Sequence, residues 1–157
     1  ALPTETFKTT HKLSANGESL ELAYFPPAHT DSDIYVHYTR ANVLHMGDIF
    51  FNGMYPFIDW GTGGNIDGTI AGAELGMKLA DSRTKIVPGH GPLGDRAALT
   101  TYRNVLVTIR DRVKKLKTTG KSLKEVMAAK PTAEYDATWG RGFVTPDTFV
   151  GYVYNTL

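Results

Sequence analysis

His29, Asp48 and His90 each follow an apolar, strand-like run. His29 comes after Leu20-Glu21-Leu22-Ala23-Tyr24-Phe25, Asp48 after Val43-Leu44-His45-Met46, and His90 after Lys85-Ile86-Val87-Pro88. Polar side chains at strand ends, on loops held by a rigid sheet, are how a fold gathers distant residues into one site. Two imidazoles and one carboxylate suit zinc or a similar divalent metal. Each residue also has an ordinary reading. A histidine before Thr30-Asp31 can cap a turn, and an aspartate after Gly47 is a common turn residue. His90 is the most suggestive of the three. Gly89 and Gly91 on either side of it let the backbone bend sharply and a ligand come close. The other histidines read as structural: His45 within a strand, His37 on a strand face, His11 on an exposed strand.

The elements that must position these residues are legible in the pattern. Thr6 to Leu13 and Glu18 to Phe25 read as strands, and Asn16-Gly17 between them suits a tight hairpin. Asp33 to Thr39 alternates, with Ile34, Val36 and Tyr38 on one face and Tyr35 and His37 on the other. Arg40-Ala41-Asn42 is a turn, and Val43 to Gly47 completes a four-stranded antiparallel meander. Ile49 to Gly64 reads as a long aromatic and glycine-rich loop, and such loops are usually functional. Within it, Asn52 and Tyr55 are candidate substrate-binding residues; a hydrophobic plug is the competing reading of the same segment.

Asn65 caps a predicted helix running to Leu79, with Ile66, Ile70, Ala73 and Met77 on one side. Gly68, Gly72 and Gly76 weaken that helix, so close packing against the sheet is the expected compensation. Thr84 to Pro88 reads as a short buried strand. Asp95 caps the longest helix, whose apolar stripe is Leu99, Tyr102, Leu106, Ile109, Val113 and Leu116, and Gly120 ends it. Ser122 and Glu125 form a capping box, and Thr145-Pro146 opens a last helix. The predicted architecture is α/β: one mainly antiparallel sheet with helices on one face. Apolar residues on both faces of the strands require cover on the second face as well.

A chain of 157 residues is expected to form a single domain over 1–157. A net charge of +1 gives no reason to expect a polyanionic partner, and no apolar run is long enough to span a membrane. There is no cysteine, which removes disulfides and thiolate ligands and leaves the compartment undetermined. Arg103, Arg110, Arg112, Lys114, Lys115 and Lys117 crowd the longest helix. A solvated face explains them better than a nucleic-acid surface, because no stacking aromatics interleave with the charges.

AHTDSD at 28–33, HMGD at 45–48 and VPGHGP at 87–92 resemble, in order and wording, the three C-terminal metal-binding segments of the metallo-β-lactamase superfamily. Ser32 stands where that family often has glycine. The resemblance implies that the chain is equivalent to the C-terminal half of the family's domain, half of a four-layer αββα sandwich. It implies a metal-dependent hydrolase, with zinc as the expected metal, attacking an ester, amide, thioester or related bond. His29 would bind one metal, Asp48 would bridge two or bind the second, and His90 would bind the second. The family's His-x-His-x-Asp-His run, expected upstream with the water-orienting aspartate, is not among residues 1–157; no two of the five histidines are one residue apart. With Ala1 rather than Met at the start, the expectation is that an N-terminal half is missing. Taken alone, the chain is expected to be a weak or inactive catalyst. Its open sheet face would then pair with the missing half or with a second copy in a homodimer. The alternatives are a self-associating module without catalysis and a fragment of a nuclease of the same fold.

Overall fold

The computed structural model describes residues 2–157. Five strands form one sheet in the order β1 (Thr10–Ala15), β2 (Glu18–Tyr24), β3 (Ile34–Tyr38), β4 (Val43–Phe51) and β5 (Lys85–His90). The first four make an antiparallel meander, and β5 adds to β4 in parallel. Asn16 (φ 50°) and Gly17 (φ 76°) both adopt the left-handed conformation that the β1–β2 hairpin needs. β5 is the edge strand, so Pro88 removes no ladder bond from a strand beyond it.

Two expectations from sequence are corrected here. β1 starts at Thr10 rather than Thr6. β4 does not stop at Gly47 but continues to Phe51, so the loop that follows it is shorter than the span 49–64. Gly47 (φ 53°) sits in an irregularity where the β4–β5 register shifts. A bulge breaks the two-residue alternation, so the run beyond it does not read as strand.

Helix α1 (Ile66–Leu79) is capped by Asn65, whose side chain accepts from the Gly68 amide. Helix α2 (Arg96–Thr118) is capped by Asp95 accepting from Ala98. Three shorter helices follow: α3 (Leu123–Ala128) with its Ser122–Glu125 capping box, α4 (Ala133–Trp139), and α5 (Pro146–Asn155) capped by Thr145. α4 was not expected. Thr132 makes no side-chain cap to it, so its start carries no signature.

The core lies between the helices and one face of the sheet. The glycines of α1 account for the close approach. A Cβ on Gly72 would stand 2.7 Å from Ile49, and one on Gly76 would stand 2.6 Å from Met46. Leu44, Met46, Ile49, Phe50 and Ile86 are fully buried beneath α1 and α2 with Leu99, Tyr102, Leu106 and Ile109. The strand register puts Leu13, Leu20, Leu22, Val36, Tyr38 and Val43 together on the opposite face. Leu13 is exposed, as are Tyr24 and Ile34, and the others are only half-buried. The helix-side positions of the outer strands are polar instead, with Lys12 paired to Glu21 and His37 in register with Glu21. The apolar side of these strands therefore faces away from the helices. Among the described residues no helix is long and apolar enough to cross a membrane.

Candidate metal centre

His29 lies on the loop between β2 and β3, which polar contacts hold rigidly. Phe25 donates to the Asp33 carbonyl at 2.8 Å, and the Asp33 carboxylate accepts from the Thr30 amide at 2.8 Å. Asn65 ties this loop to α1, donating through its side chain to Pro27 O (3.0 Å) and through its amide to Ala28 O (2.9 Å). Gly68 packs so tightly on the loop that a Cβ would fall 1.5 Å from Pro27 O. The His29 ring is largely buried, and its Nδ1 is 2.9 Å from the carbonyl oxygen of Phe57.

Asp48 emerges just after the Gly47 bulge, and one carboxylate oxygen rests on the β5 backbone. A Cβ on Gly89 would stand 2.0 Å from Asp48 Oδ1. His90 ends β5, and its carbonyl accepts from the Asn52 amide at 2.9 Å. Its ring stacks on Phe51 with centroids 4.8 Å apart and meets Phe143 edge-on at 5.2 Å.

The three side chains converge at one end of the sheet. His29 Nε2 is 3.4 Å from Asp48 Oδ2, and His90 Nε2 is 3.6 Å from Asp48 Oδ1. Both spacings exceed the usual 2.7–3.2 Å range of an N–H···O bond. The tautomer of His29 follows from its partner. The Phe57 carbonyl can only accept, so Nδ1 carries a proton. Nε2 faces a carboxylate oxygen, an arrangement that takes either a proton or a cation between the two atoms. A ring N–H fixed by a backbone carbonyl is also the usual support for a metal-ligating histidine. Among the described residues no group of three or more His, Cys, Asp and Glu side chains forms a ready-made cage around one point. Asp48 instead stands between the imidazoles, one oxygen toward each. Imidazole nitrogen and carboxylate oxygen are donor types that divalent cations take.

Asn52 and Tyr55 were expected on a substrate wall. The Asn52 side chain donates to Pro92 O at 2.9 Å, bracing the loop after His90. Tyr55 is placed differently: it is buried, with its hydroxyl donating to Asp136 at 2.8 Å and its ring stacked on Phe149. Burial and that carboxylate push its phenol well above the ordinary range. It is a core anchor and does not line the open end of the sheet, because the shorter loop turns inward after Phe51. His45 Nδ1 accepts from the Gly47 amide at 3.2 Å, a structural role at the bulge. His11 packs on Phe7 and lies 3.5 Å from Glu5.

Tyr102 is buried in the core, with its hydroxyl beside the Phe51 main chain and within the field of Asp48. Complete burial raises its phenol well above the ordinary value, and no group among the described residues completes a hydrogen bond to its hydroxyl. Sequence reasoning did not place Phe143 at the site, and it read Phe51 and Phe57 as part of a candidate pocket wall, not as supports of the two histidines. Phe57 acts through its carbonyl, which no side-chain pattern announces. Phe143 could have been noticed as an aromatic in the glycine-rich turn Gly140-Arg141-Gly142 that precedes a helix cap.

A family model described as the metallo-beta-lactamase superfamily matches residues 1–111. No curated protein matches the sequence. Among solved structures, the stereoselective inverting sec-alkylsulfatase Pisa1 from Pseudomonas sp. superposes with a TM-score of 0.75 at 18% identity, over 96% of this chain and 26% of that one. A metallo-β-lactamase from Pontibacter korlensis gives a TM-score of 0.57 at 22% identity, over 68% of this chain and 49% of that one. TTHA1623, solved in a di-iron-bound form, gives 0.52 at 18% identity, over 64% and 47%. At these identities the likeness is one of fold. The chain spans about a quarter of the alkylsulfatase and about half of the other two.

Proposed function

Because this chain belongs to the metallo-β-lactamase superfamily, we propose that it forms the C-terminal part of a metal-dependent hydrolase. His29, Asp48 and His90 are its contribution to a divalent metal centre, with zinc the expected ion. The observation that carries this reading is the convergence of His29 Nε2 and His90 Nε2 on the two oxygens of Asp48, with His29 Nδ1 against the Phe57 carbonyl. When bound, a divalent metal supplies Lewis acidity, acidifying a water and polarising the bond to be cleaved. The chain's own residues fix the donors. Phe57 holds the His29 tautomer, Gly89 seats the Asp48 carboxylate, and Phe51 holds the His90 ring in plane. Asp48 suits a bridging role because each oxygen faces a different imidazole.

A tight site takes three or four protein ligands, and this chain would offer three side chains, His29 and His90 on either side of Asp48. Residues from more of the polypeptide, or from a second copy of the chain, complete the ligand set and cover the apolar open face of the sheet. The basic helix α2 does not favour a nucleic-acid substrate. Arg103 pairs with Glu74, Arg110 with Asp67 and Asp111, and Arg112 with Glu134. Lys117 donates to the carbonyls of Tyr154 and Leu157.

The test uses the full-length protein that carries this chain, with a panel of chromogenic carboxylate ester, thioester, lactam and sulfate ester substrates. Turnover of at least one is expected, abolished by a chelator, restored by zinc and lowered at least about a hundredfold by Asp48→Asn. Turnover indifferent to both chelator and Asp48→Asn would overturn the proposal.

A further inference from the structure

Charge is unevenly spread along this chain. Residues 112–130 hold seven of its 17 Lys and Arg and only one of its 16 Asp and Glu. Part of that excess opens on a groove of about 400 Å³ between α2 and the turn joining α3 to α4. α2 contributes Arg112, Lys115 and Leu116 to its lining, and the turn contributes Ala129, Lys130 and Pro131; no carboxylate lines it. Arg112 is anchored there. It donates to Pro131 O at 3.0 Å, pairs with Glu134 and lies over the Tyr135 ring at 5.9 Å. Glu134 balances its charge. Lys115 and Lys130 are exposed, and neither has a polar partner among the described residues, in contrast to Lys117 with its two carbonyls.

The dipole of α2 accounts for a cation at position 115. It does not account for Lys130, which follows the α3 cap residue Ala129 with φ at 48°. Glycine is the default in that left-handed position, because a Cβ there costs energy. The turn is tied on both sides of Lys130, whose amide donates to Met127 O at 3.0 Å and whose carbonyl accepts from the Ala133 amide at 3.1 Å. The backbone is thus held in a costly conformation under a side chain that makes no polar contact to offset it. We infer that the groove binds a phosphate monoester as its dianion, with Lys115 and Lys130 closing on the phosphate and Leu116 and Pro131 lying against the organic group. Ammonium groups serve phosphate as point charges. Two like charges on one groove repel, and a dianion between them turns that repulsion into attraction. The two uncompensated lysines match its two charges. The inference is independent of the metal-centre reading.

The experiment is a calorimetric titration of the full-length protein with phenyl phosphate at pH 8, above the second phosphate pKa of about 6. Inorganic phosphate and benzoate, which carries the same ring and one charge, are the comparisons. An Asp48→Asn background removes competition from the proposed metal centre. Phenyl phosphate is expected to bind at one site, more tightly than inorganic phosphate and at least about threefold more tightly than benzoate. Lys115→Gln and Lys130→Gln should each weaken it about three- to tenfold. Lys114→Gln removes the same charge from a neighbour that does not line the groove, and should leave binding unchanged. Lys130→Gly should weaken binding as Lys130→Gln does while holding or raising the thermal midpoint, because it relieves the positive φ. No binding of phenyl phosphate, benzoate binding as tightly, or an equal weakening by Lys114→Gln would overturn the site. A midpoint lowered by Lys130→Gly would overturn it too, by showing that the Lys130 side chain serves the fold.

Discussion

Replacing Gly89 with alanine isolates the seat of the Asp48 carboxylate. Gly89 is not among the glycines with positive φ, so alanine brings no backbone strain and the effect is steric. The new Cβ would stand 2.0 Å from Asp48 Oδ1, 2.7 Å from the carbonyl carbon of Gly47 and 2.8 Å from its oxygen. The backbone atoms cannot retreat cheaply, because Gly47 is paired in register with Pro88 between β4 and β5. The carboxylate therefore has to swing away, by about 1.4 Å to regain an ordinary contact, well beyond the roughly 0.5 Å that a binding constellation tolerates. A support lost on that scale typically lowers metal affinity about 10- to 100-fold, and overpacking the strand pair costs about 1–3 kcal/mol. Competition for zinc against a chromophoric chelator, with urea unfolding of the same full-length protein, reads both effects. Gly151→Ala is the control. Its Cβ would meet only Met127 at 3.6 Å within α5, so metal affinity should be unchanged and stability equal or raised by up to about 1 kcal/mol. Wild-type zinc affinity in Gly89→Ala would refute the placement of Asp48 against β5.

The glycines of α1 should rank by what their Cβ would meet. All three gain about the same helix propensity on becoming alanine. Gly68→Ala, 1.5 Å from the Pro27 carbonyl, should be the most destabilising; Gly76→Ala, which meets the flexible end of Met46, should be the mildest; urea midpoints in another order would contradict the packing. Tyr102→Phe removes a buried hydroxyl whose nearest polar neighbour, the Phe51 main chain, does not complete a well-formed hydrogen bond. Stability should hold or rise by up to about 1 kcal/mol, and a loss above about 2 kcal/mol would show that the Phe51 main chain does bond the hydroxyl. Asp81 accepts from the Arg83 and Thr84 amides and from Asn42. The Arg83 amide leads in holding its carboxyl at about 2 instead of the ordinary 3.8. A depressed folded pKa means a stabilisation that is complete above the unfolded value and drains away as pH falls from about 4 to about 2. Thermal midpoints through that window should fall more steeply in wild type than in Asp81→Asn, and parallel curves would contradict the assignment.

Local signals that bond to the backbone were the most legible in the sequence. Asn65, Asp95, Ser122 with Glu125, and Thr145 each cap the helix their pattern announced, because a cap needs only the next three residues. The Asn16-Gly17 hairpin and the meander followed from turn chemistry and alternation for the same reason. Reading failed where tertiary context decides. The Gly47 bulge carries β4 on to Phe51 through a run with no clean period. α4 has no cap signature. The segment after β4 sends Tyr55 into the core to meet Asp136, a choice between pocket wall and plug that composition alone leaves even. The order of His29, Asp48 and His90 was visible in three short motifs. The contacts that orient them, the Phe57 carbonyl, Gly89 and the Phe143 ring, come from distant segments and through backbone atoms that carry no residue-type signature.

The metal centre proposed above requires His29, Asp48 and His90 to hold a divalent ion. Anomalous diffraction at the zinc absorption edge, from zinc-soaked crystals of the full-length protein, tests it most directly. The prediction is one or two anomalous peaks at the Asp48 carboxylate, about 2.0–2.2 Å from its oxygens and from His29 Nε2 or His90 Nε2, with no peak there after His90→Ala and Asp48→Asn. Zinc found only elsewhere, with the gap between His29 Nε2 and Asp48 Oδ2 closed to a direct hydrogen bond, would contradict it.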